Sequence, residues 1–382
     1  MTSARSPRVL FVHAGGRRRR LARLDEGEAV PREFFYGLTE LRERGFEVDL
    51  FETSDGEHQP RSWRYRWTER KDKRRRAATS MPHCERFFLP LAKHLHAYDA
   101  VIAGNEYVAL GLLDLVKRHA PKKPFAFFVM GMLSKAMAGG SAHREAALAR
   151  YRRLLAEASA ALFLGAGELE AFRGWLPDHR KKMQFHPFGV DTDFWTPCDR
   201  QDAEPADAPI LFVGNDVNRD VDLLTALAAA MPEHRFLALT SLIKDQPLPA
   251  NLEVIESHWK RDVVSDQDMR AHYRAAQAVI LPIKPTFQPS GQSVALQAMA
   301  CGRPVVISDF DGFWEPDAGS DDSGLIHVQP SDVTGFASAL RHLFDDPTRA
   351  EAIGRQARQQ VEHRYTLRHF GERLAAQLEA CR

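Results

Sequence analysis

The chain of 382 residues carries 52 Lys and Arg against 51 Asp and Glu, a formal net charge of +1, with 44% hydrophobic and 27% charged residues. That length suits two or three domains with ordinary cores, and the charge balance excludes wholesale disorder and a protein that coats polyanions by total charge, though not a local basic patch. No apolar run nears the ~18 residues needed to cross a bilayer. The opening MTSARSPRVLFVHAGG has no signal-peptide core, so the chain reads as cytoplasmic and unexported. Cys84, Cys198, Cys301 and Cys381 lie too far apart for a local metal knuckle or a dense disulfide framework, and read as free thiols.

Short apolar runs alternate with helical patterns, the signature of an α/β fold with a parallel sheet wrapped by helices. The first predicted strand is residues 9–12, followed directly by Gly15 and Gly16 and by a basic cluster at 17–20. A helix is predicted over 31–44, with Phe34, Phe35, Leu38 and Leu41 on one face, Pro31 in its first turn and Gly45 as a left-handed cap. Further strands are predicted at 46–51, 100–103, 125–130, 160–164 and 183–188. Residues 196–209 are polar, proline-bearing and without period, a plausible linker. Alternation then restarts, with strands at 210–213, 236–239, 252–255, 279–283 and 305–308, and three helices over 332–344, 347–363 and 367–378. The predicted organisation is a first domain over 1–197, a second over 198–365, and a final helical stretch, 366–382, that could pack back on the first. Two α/β halves of similar size favour a ligand cleft between them, at the carboxyl ends of strands.

The most informative segment is residues 279–308. A buried-type strand runs into a loop with Lys284, then Ser290 and Gly291 open a helix that ends near Cys301, with Gly302 as its cap. Ser290 is a natural N-cap, and free N–H groups at that helix start, with Gly291 allowing close approach, make a site for a phosphate. Gln297 follows Ser293 by one helical turn and Ser290 by two, which puts all three on one face. An ordinary βαβ unit whose Gly and Ser merely cap a helix would read the same way.

The run Gln297-Ala-Met-Ala-Cys-Gly-Arg-Pro-Val-Val-Ile-Ser-Asp309, with Asp311-Gly-Phe-Trp-Glu315 and Ser323-Gly-Leu-Ile-His327, resembles the C-terminal half of retaining GT-B glycosyltransferases, of the group 1 or family 4 type. Phe188-Gly-Val-Asp-Thr-Asp-Phe-Trp195 and Phe212-Val-Gly-Asn215 extend the resemblance, which covers most of 180–365 and reaches 1–180 only by architecture. It implies a GT-B fold, two Rossmann-like domains facing across a cleft, and transfer of a sugar from a nucleotide-sugar donor to a hydroxyl acceptor, such as a glycan or a lipid-linked or small molecule. Retention of configuration and no metal or cofactor are also implied.

The departures from the family pattern matter. Where many members have two glutamates, this chain has Pro289 and Gln297, so Gln297 would meet the ribose as a neutral group, and sugar contacts would pass to Ser290, Gln292, Ser293 or backbone amides. Where the family has Arg and Lys on the donor phosphates, Gly214 is followed by Asn215 and then Arg219. Arg219 is therefore the expected diphosphate cation and a catalytic residue, with Lys284 a second cation; a solvated pair with Asp216 or Asp220 is the plain alternative. Gly15 and Gly16 are expected near the reacting sugar. Glu106, beside Asn105 at the end of the 100–103 strand, is a candidate catalytic carboxylate, or else a helix-dipole partner. The family's histidine after the strand at 125–130 is absent, and His13 substitutes by location only. Asp191-Thr-Asp193 reads as a turn rather than a metal site. The missing glutamate and histidine also leave open a degenerate nucleotide-binding module, and a nucleotide-sugar epimerase is a further alternative.

Residues 61–76 hold nine Lys and Arg with two acids, and Arg61, Trp63, Arg64, Tyr65, Arg66 and Trp67 interleave charge with aromatics. Such a mixture suits an acidic or pyrophosphate-linked acceptor or an anionic membrane on the cytoplasmic face, with nucleic acid ranked last; a solvated loop is the plain alternative. The loop around 252–268, with Trp259, is a candidate for base contact. Nothing in the sequence chooses the base, the sugar, the acceptor or the oligomeric state.

Overall fold

The computed structural model describes residues 5–57, 62–79, 84–198, 208–244, 247–257, 263–314 and 324–381. They divide into two compact units, one running to Pro187 and taking in the residues from Arg368 onward, the other Phe188–Leu367. The first is built on six parallel strands, β1 (Arg8–His13), β2 (Glu47–Glu52), β3 (Ala100–Ala103), β4 (Phe125–Val129), β5 (Ala160–Phe163) and β6 (Met183–Phe185), in the order β2-β1-β3-β4-β5-β6. The second has β7 (Ile210–Val213), β8 (Phe236–Leu239), β9 (Leu252–Ile255), β10 (Ala278–Leu281), β11 (Val305–Ser308) and β12 (Leu325–Val328), in the order β12-β11-β10-β7-β8-β9, again all parallel.

Strands such as Phe-Ala-Phe-Phe-Val in β4 and Ala-Val-Ile-Leu in β10 are buried along their whole length, because helices cover both faces of each sheet. In each sheet the chain leaves a founding strand to one side and later returns to its other side. The change of direction falls between β1 and β3 in the first unit, and between β7 and β10 in the second. Crevices that accept ligands form at the carboxyl ends of such strand pairs.

Several expectations change. The helix predicted over 31–44 is broken: Arg32–Phe35 is a 3-10 turn and the α-helix is only Leu38–Glu43. Between them Tyr36 (φ +52°) and Gly37 (φ +85°) are both left-handed, which no helix tolerates. The cause is tertiary, since the helix Leu367–Ala380 packs Phe370 and Leu374 directly against Gly37. Residues 63–76 are helical, within Trp63–Thr79, rather than a loop. Strand β12 was not expected, since His327 interrupts a short, half-exposed apolar run.

Residues 188–197 pack with the second unit. Arg358 Nη1 donates to the Trp195 carbonyl (2.6 Å) and the Ala300 carbonyl (2.7 Å), its Nη2 donates to the Thr192 carbonyl (3.1 Å), and the Trp195 ring meets Tyr273 edge-on. Most of the linker stretch, 199–207, lies outside the described residues, as do Arg61, Trp259, Glu315 and Ser323. The four cysteines are free thiols. No described helix is long and apolar enough to cross a membrane.

Candidate functional site

In the second unit the loop after β7 and the loop after β10 run together across the point where the sheet changes direction. Arg219 and Ile283 form an antiparallel bridge, Asp220 N–H donates to the Pro282 carbonyl (2.9 Å), and Lys284 N–H donates to the Asn218 carbonyl (2.8 Å). Asn218 Nδ2 also donates to Ser290 Oγ (2.8 Å), which ties these loops to the start of the helix Gln292–Ala300. Ser290 is therefore an acceptor for a neighbouring loop and not the N-cap. That place belongs to Gly291, whose φ of +81° carries the chain into the helix with no side-chain cap. Gly291 has no side chain to cap the first-turn amides, which lie at the positive end of the helix dipole.

Arg219 lies between the two glycines. Its side chain is 3% exposed, its Nε donates to the Val213 carbonyl (3.2 Å), and it covers Gly214 (φ +152°) so closely that a Cβ there would stand 2.8 Å from the guanidinium carbon. A Cβ on Gly291 would stand 3.3 Å from Nη1. Nη1 is 3.1 Å from Asp216 Oδ2, but the angle makes no hydrogen bond, so among the described residues this buried nitrogen has no hydrogen-bond partner. Burial pulls the guanidinium below the ordinary arginine range, against the opposing pull of Asp216. A buried cation with an open donor is costly alone and suited to an incoming anion. Of the expected donor residues, Gly214, Arg219, Ser290 and Gly291 thus converge, and Lys284 stands beside them as an exposed amine on the adjoining loop.

The others are placed differently. Asn215 Nδ2 donates to the Ser257 carbonyl (2.6 Å), and its Oδ1 accepts from Ser241 N–H (2.5 Å) and Ser241 Oγ (2.9 Å), so its amide stitches the ends of β7, β8 and β9 together. Gln297 is buried and its Oε1 accepts from the Tyr273 hydroxyl (3.1 Å). Gln292 is buried at the helix start, whereas Ser293 is exposed. The face shared by Ser290, Ser293 and Gln297 is not continuous, because Ser290 precedes the helix and Gln297 turns into the core. Asp191 Oδ1 accepts the N–H groups of Asp193 (3.2 Å) and Phe194 (3.3 Å), which makes Asp-Thr-Asp a local turn.

In the first unit, His13 ends β1 with its ring against Gly104 at the end of β3, where a Cβ would stand 2.8 Å from His13 Cγ. Its Nε2 is buried without a hydrogen-bond partner among the described residues, and burial, then the charge of Arg17, holds the imidazole neutral well below its ordinary range. Gly16 has φ +112°, and Gly15 has only Ser54 Oγ near it, 3.9 Å from a built Cβ. The basic cluster that follows is not a free surface patch. Arg17 is buried, with Nε on the Phe34 carbonyl (2.8 Å) and its guanidinium over Tyr36, and Arg20 is buried over Phe34.

Glu106 is wholly buried. Its Oε1 accepts from Lys135 Nζ (2.6 Å) and its Oε2 from Met130 N–H (3.3 Å), while Asn105 Oδ1 caps the helix Glu106–His119. Although burial works against its charge, Lys135 is held above the ordinary lysine range by Glu106. Glu106 is thus a strut between the ends of β3 and β4, because a carboxylate buried there needs a cation. Glu168, which carried no sequence signal, accepts N–H groups from Gly131 (2.9 Å) and Leu133 (2.8 Å), and burial pushes its carboxyl up to about 8. Tyr36, Asn218, Lys135 and Tyr273 were also missed. Each acts through a partner remote in sequence, and only the Tyr36-Gly37 pair carried a local hint.

The sequence pattern of the family described as "Glycosyl transferases group 1" matches residues 208–346, the segment that holds Gly214, Arg219 and Gly291. Sucrose-phosphate synthase from Thermosynechococcus elongatus superposes with a TM-score of 0.70 at 18% identity, over 99% of this chain and 100% of that one. This chain has the GT-B fold, and its residues 208–346 are similar to group 1 glycosyl transferases. The GT-B architecture also matches that of Anabaena HepE in complex with UDP-glucose, with a TM-score of 0.66 at 13% identity, over 98% and 99% of the two chains. Among curated relatives, alpha-maltose-1-phosphate synthase of Mycobacterium tuberculosis is 27% identical over 212 residues, 48% of this chain and 53% of that protein. D-inositol 3-phosphate glycosyltransferase of Paenarthrobacter aurescens is 28% identical over 206 residues, 47% and 48% of the two. The GT-B chain thus spans about half the length of the curated relatives it matches.

Proposed function

We propose that this protein transfers a glycosyl group from a nucleoside diphosphate sugar to a hydroxyl acceptor, with retention of configuration and without a metal. The observation that carries the reading is Arg219, a buried guanidinium set between Gly214 and Gly291 at the start of the helix Gln292–Ala300, whose Nη1 pairs with Asp216 by charge (3.1 Å) but has no hydrogen-bond partner among the described residues. The diphosphate would take its charge neutralisation from Arg219 and from the first-turn amides, with the exposed Lys284 as a second cation. In the reaction the bond from the anomeric carbon to the diphosphate oxygen breaks as the acceptor oxygen bonds to the same face of that carbon. The acceptor's proton passes to the departing phosphate, so no side-chain base is required. The UDP-glucose bound to Anabaena HepE supports a nucleotide-sugar donor, and the named activity of the D-inositol 3-phosphate glycosyltransferase supports glycosyl transfer. The acceptor class is a glycan, a lipid-linked sugar or a small molecule.

Calorimetric titration of the full chain with UDP, GDP, ADP, CMP and dTDP, with and without magnesium, tests this. Metal-independent binding of one nucleotide, weakened roughly 10- to 100-fold in Arg219→Ala through loss of a charge-assisted contact of about 1.5–3 kcal/mol, is the expected result. Binding that is unchanged in Arg219→Ala would overturn the assignment. A second reading is favoured by Asn215 and Gln297, whose amides are engaged inside the protein. A GT-B module that binds nucleotide without turnover would show the titration but neither transfer nor hydrolysis of the matching nucleotide sugar.

A further inference from the structure

The basic segment after the second strand belongs to neither site. It forms the helix Trp63–Thr79, of 17 residues and therefore about 25 Å long. Its inward side is fixed. Tyr65, Thr68 and Asp72 are buried, Arg86 pairs with Asp72 (3.2 Å), Lys71 pairs with Glu85 and Asp114 (both 2.9 Å), and Arg75 pairs with Glu85 (2.8 Å). These bonds set the roll of the helix, and with it the orientation of the opposite side. There Trp63 and Trp67, one turn apart, are 73% and 61% exposed, and Arg66, Arg70, Lys73 and Arg74 share the same outward arc. Among the described residues, these two are the only aromatic side chains in the set of strongly exposed large apolar groups.

We infer that this face of the helix Trp63–Thr79 docks on an anionic lipid bilayer, with the indoles seated among the headgroups and the arginines on lipid phosphates. The match is one of chemistry. Indoles prefer the membrane–water boundary, basic side chains are drawn to an anionic surface, and a helix held by its polar side can lie flat there. A nucleic acid duplex would satisfy the arginines but offer no apolar layer to two indoles on a convex helix. The inference rests on the first unit alone and does not depend on the donor-site reading.

Flotation of the full chain with vesicles of phosphatidylcholine, alone or with about one third phosphatidylglycerol, tests it. The chain should float with the anionic vesicles only, and the binding should weaken sharply near 0.5 M salt, where screening acts within about 4 Å. Arg66→Gln/Arg70→Gln/Arg74→Gln should bind about 100-fold more weakly, at roughly fivefold per charge. Trp63→Ala/Trp67→Ala should lose at least about tenfold. Because all five side chains are exposed, circular dichroism and melting should match the parent, as should nucleotide titration. The inference is overturned by flotation that ignores lipid charge, by none with anionic vesicles, or by variants that float like the parent. Capture of a single-stranded oligonucleotide through these residues, without flotation, would overturn it equally.

Discussion

Gly214→Ala should damage the second unit through backbone strain and through Arg219, and the two parts can be separated. The backbone at Gly214 has φ +152°, a region that L-residues enter at a cost of about 1–3 kcal/mol. The added methyl would run into Arg219 Nε and stand 2.8 Å from Cζ and 2.9 Å from Cδ, against an ordinary contact of about 3.5–4 Å, so the guanidinium must move by roughly 1.5 Å. That shift breaks the Nε bond to the Val213 carbonyl, another ~1 kcal/mol, for a total near 2–4 kcal/mol. Chemical denaturation of the full chain reads the loss, and calorimetry with the bound nucleotide reads a fall in affinity close to that of Arg219→Ala. In an Arg219→Ala background the clash is gone and only backbone strain remains. The two substitutions should therefore fall short of additive by about 1 kcal/mol. Strict additivity, or a Gly214→Ala protein that binds nucleotide like the parent, would show that Arg219 is not held where Gly214 places it.

Lys135→Met should cost about 3–5 kcal/mol in denaturant unfolding, because it leaves the buried Glu106 carboxylate without its cation; Lys135→Met with Glu106→Gln should recover most of the loss. His186 is buried against Phe370, and burial, then the charge of Arg373, pushes its imidazole down to about 3. The folded state stays neutral while the unfolded chain takes up a proton below about 6.5, so this contribution is present above that pH and is lost on the way down to about 3. It amounts to about 2 kcal/mol by pH 5, and His186→Phe should flatten the slope between pH 7 and pH 5, leaving the part due to His13, which burial also lowers. Gly37→Ala introduces a Cβ 2.7 Å from Leu374 Cδ2 at φ +85°, and should destabilise by about 1–3 kcal/mol while making the last helix an early site of proteolysis.

The strands were legible because parallel strands buried on both faces must be short, continuous apolar runs, and Ile-Leu-Phe-Val in β7 or Val-Val-Ile-Ser in β11 can hardly be read otherwise. The break at Tyr36 and Gly37 was not, since what forbids a helix there is the packing of Phe370 and Leu374 from the far end of the chain. At the site, Arg219 and Gly291 were legible from spacing and from the family pattern. The engagement of Asn215 with Ser241 and Ser257, and of Gln297 with Tyr273, depends on which loops the sheet order brings together. The outward face of the basic helix was hidden for a different reason: its charge is similar all round, and only the acids of other helices decide which arginines turn inward.

The helix Leu367–Ala380 closes the first unit, with Phe370 stacked on Phe128 and Arg373 donating to the Pro187 carbonyl (3.3 Å). On the ribosome, residues 1–187 receive this helix only after all of 188–367 has been made, an interval of roughly 10–40 s at ordinary elongation rates. Meanwhile the aromatic surface of Phe128 and His186 stands uncovered. The second unit, continuous in sequence, can be completed first, so the part of the chain synthesised earliest is the last to receive all of its residues.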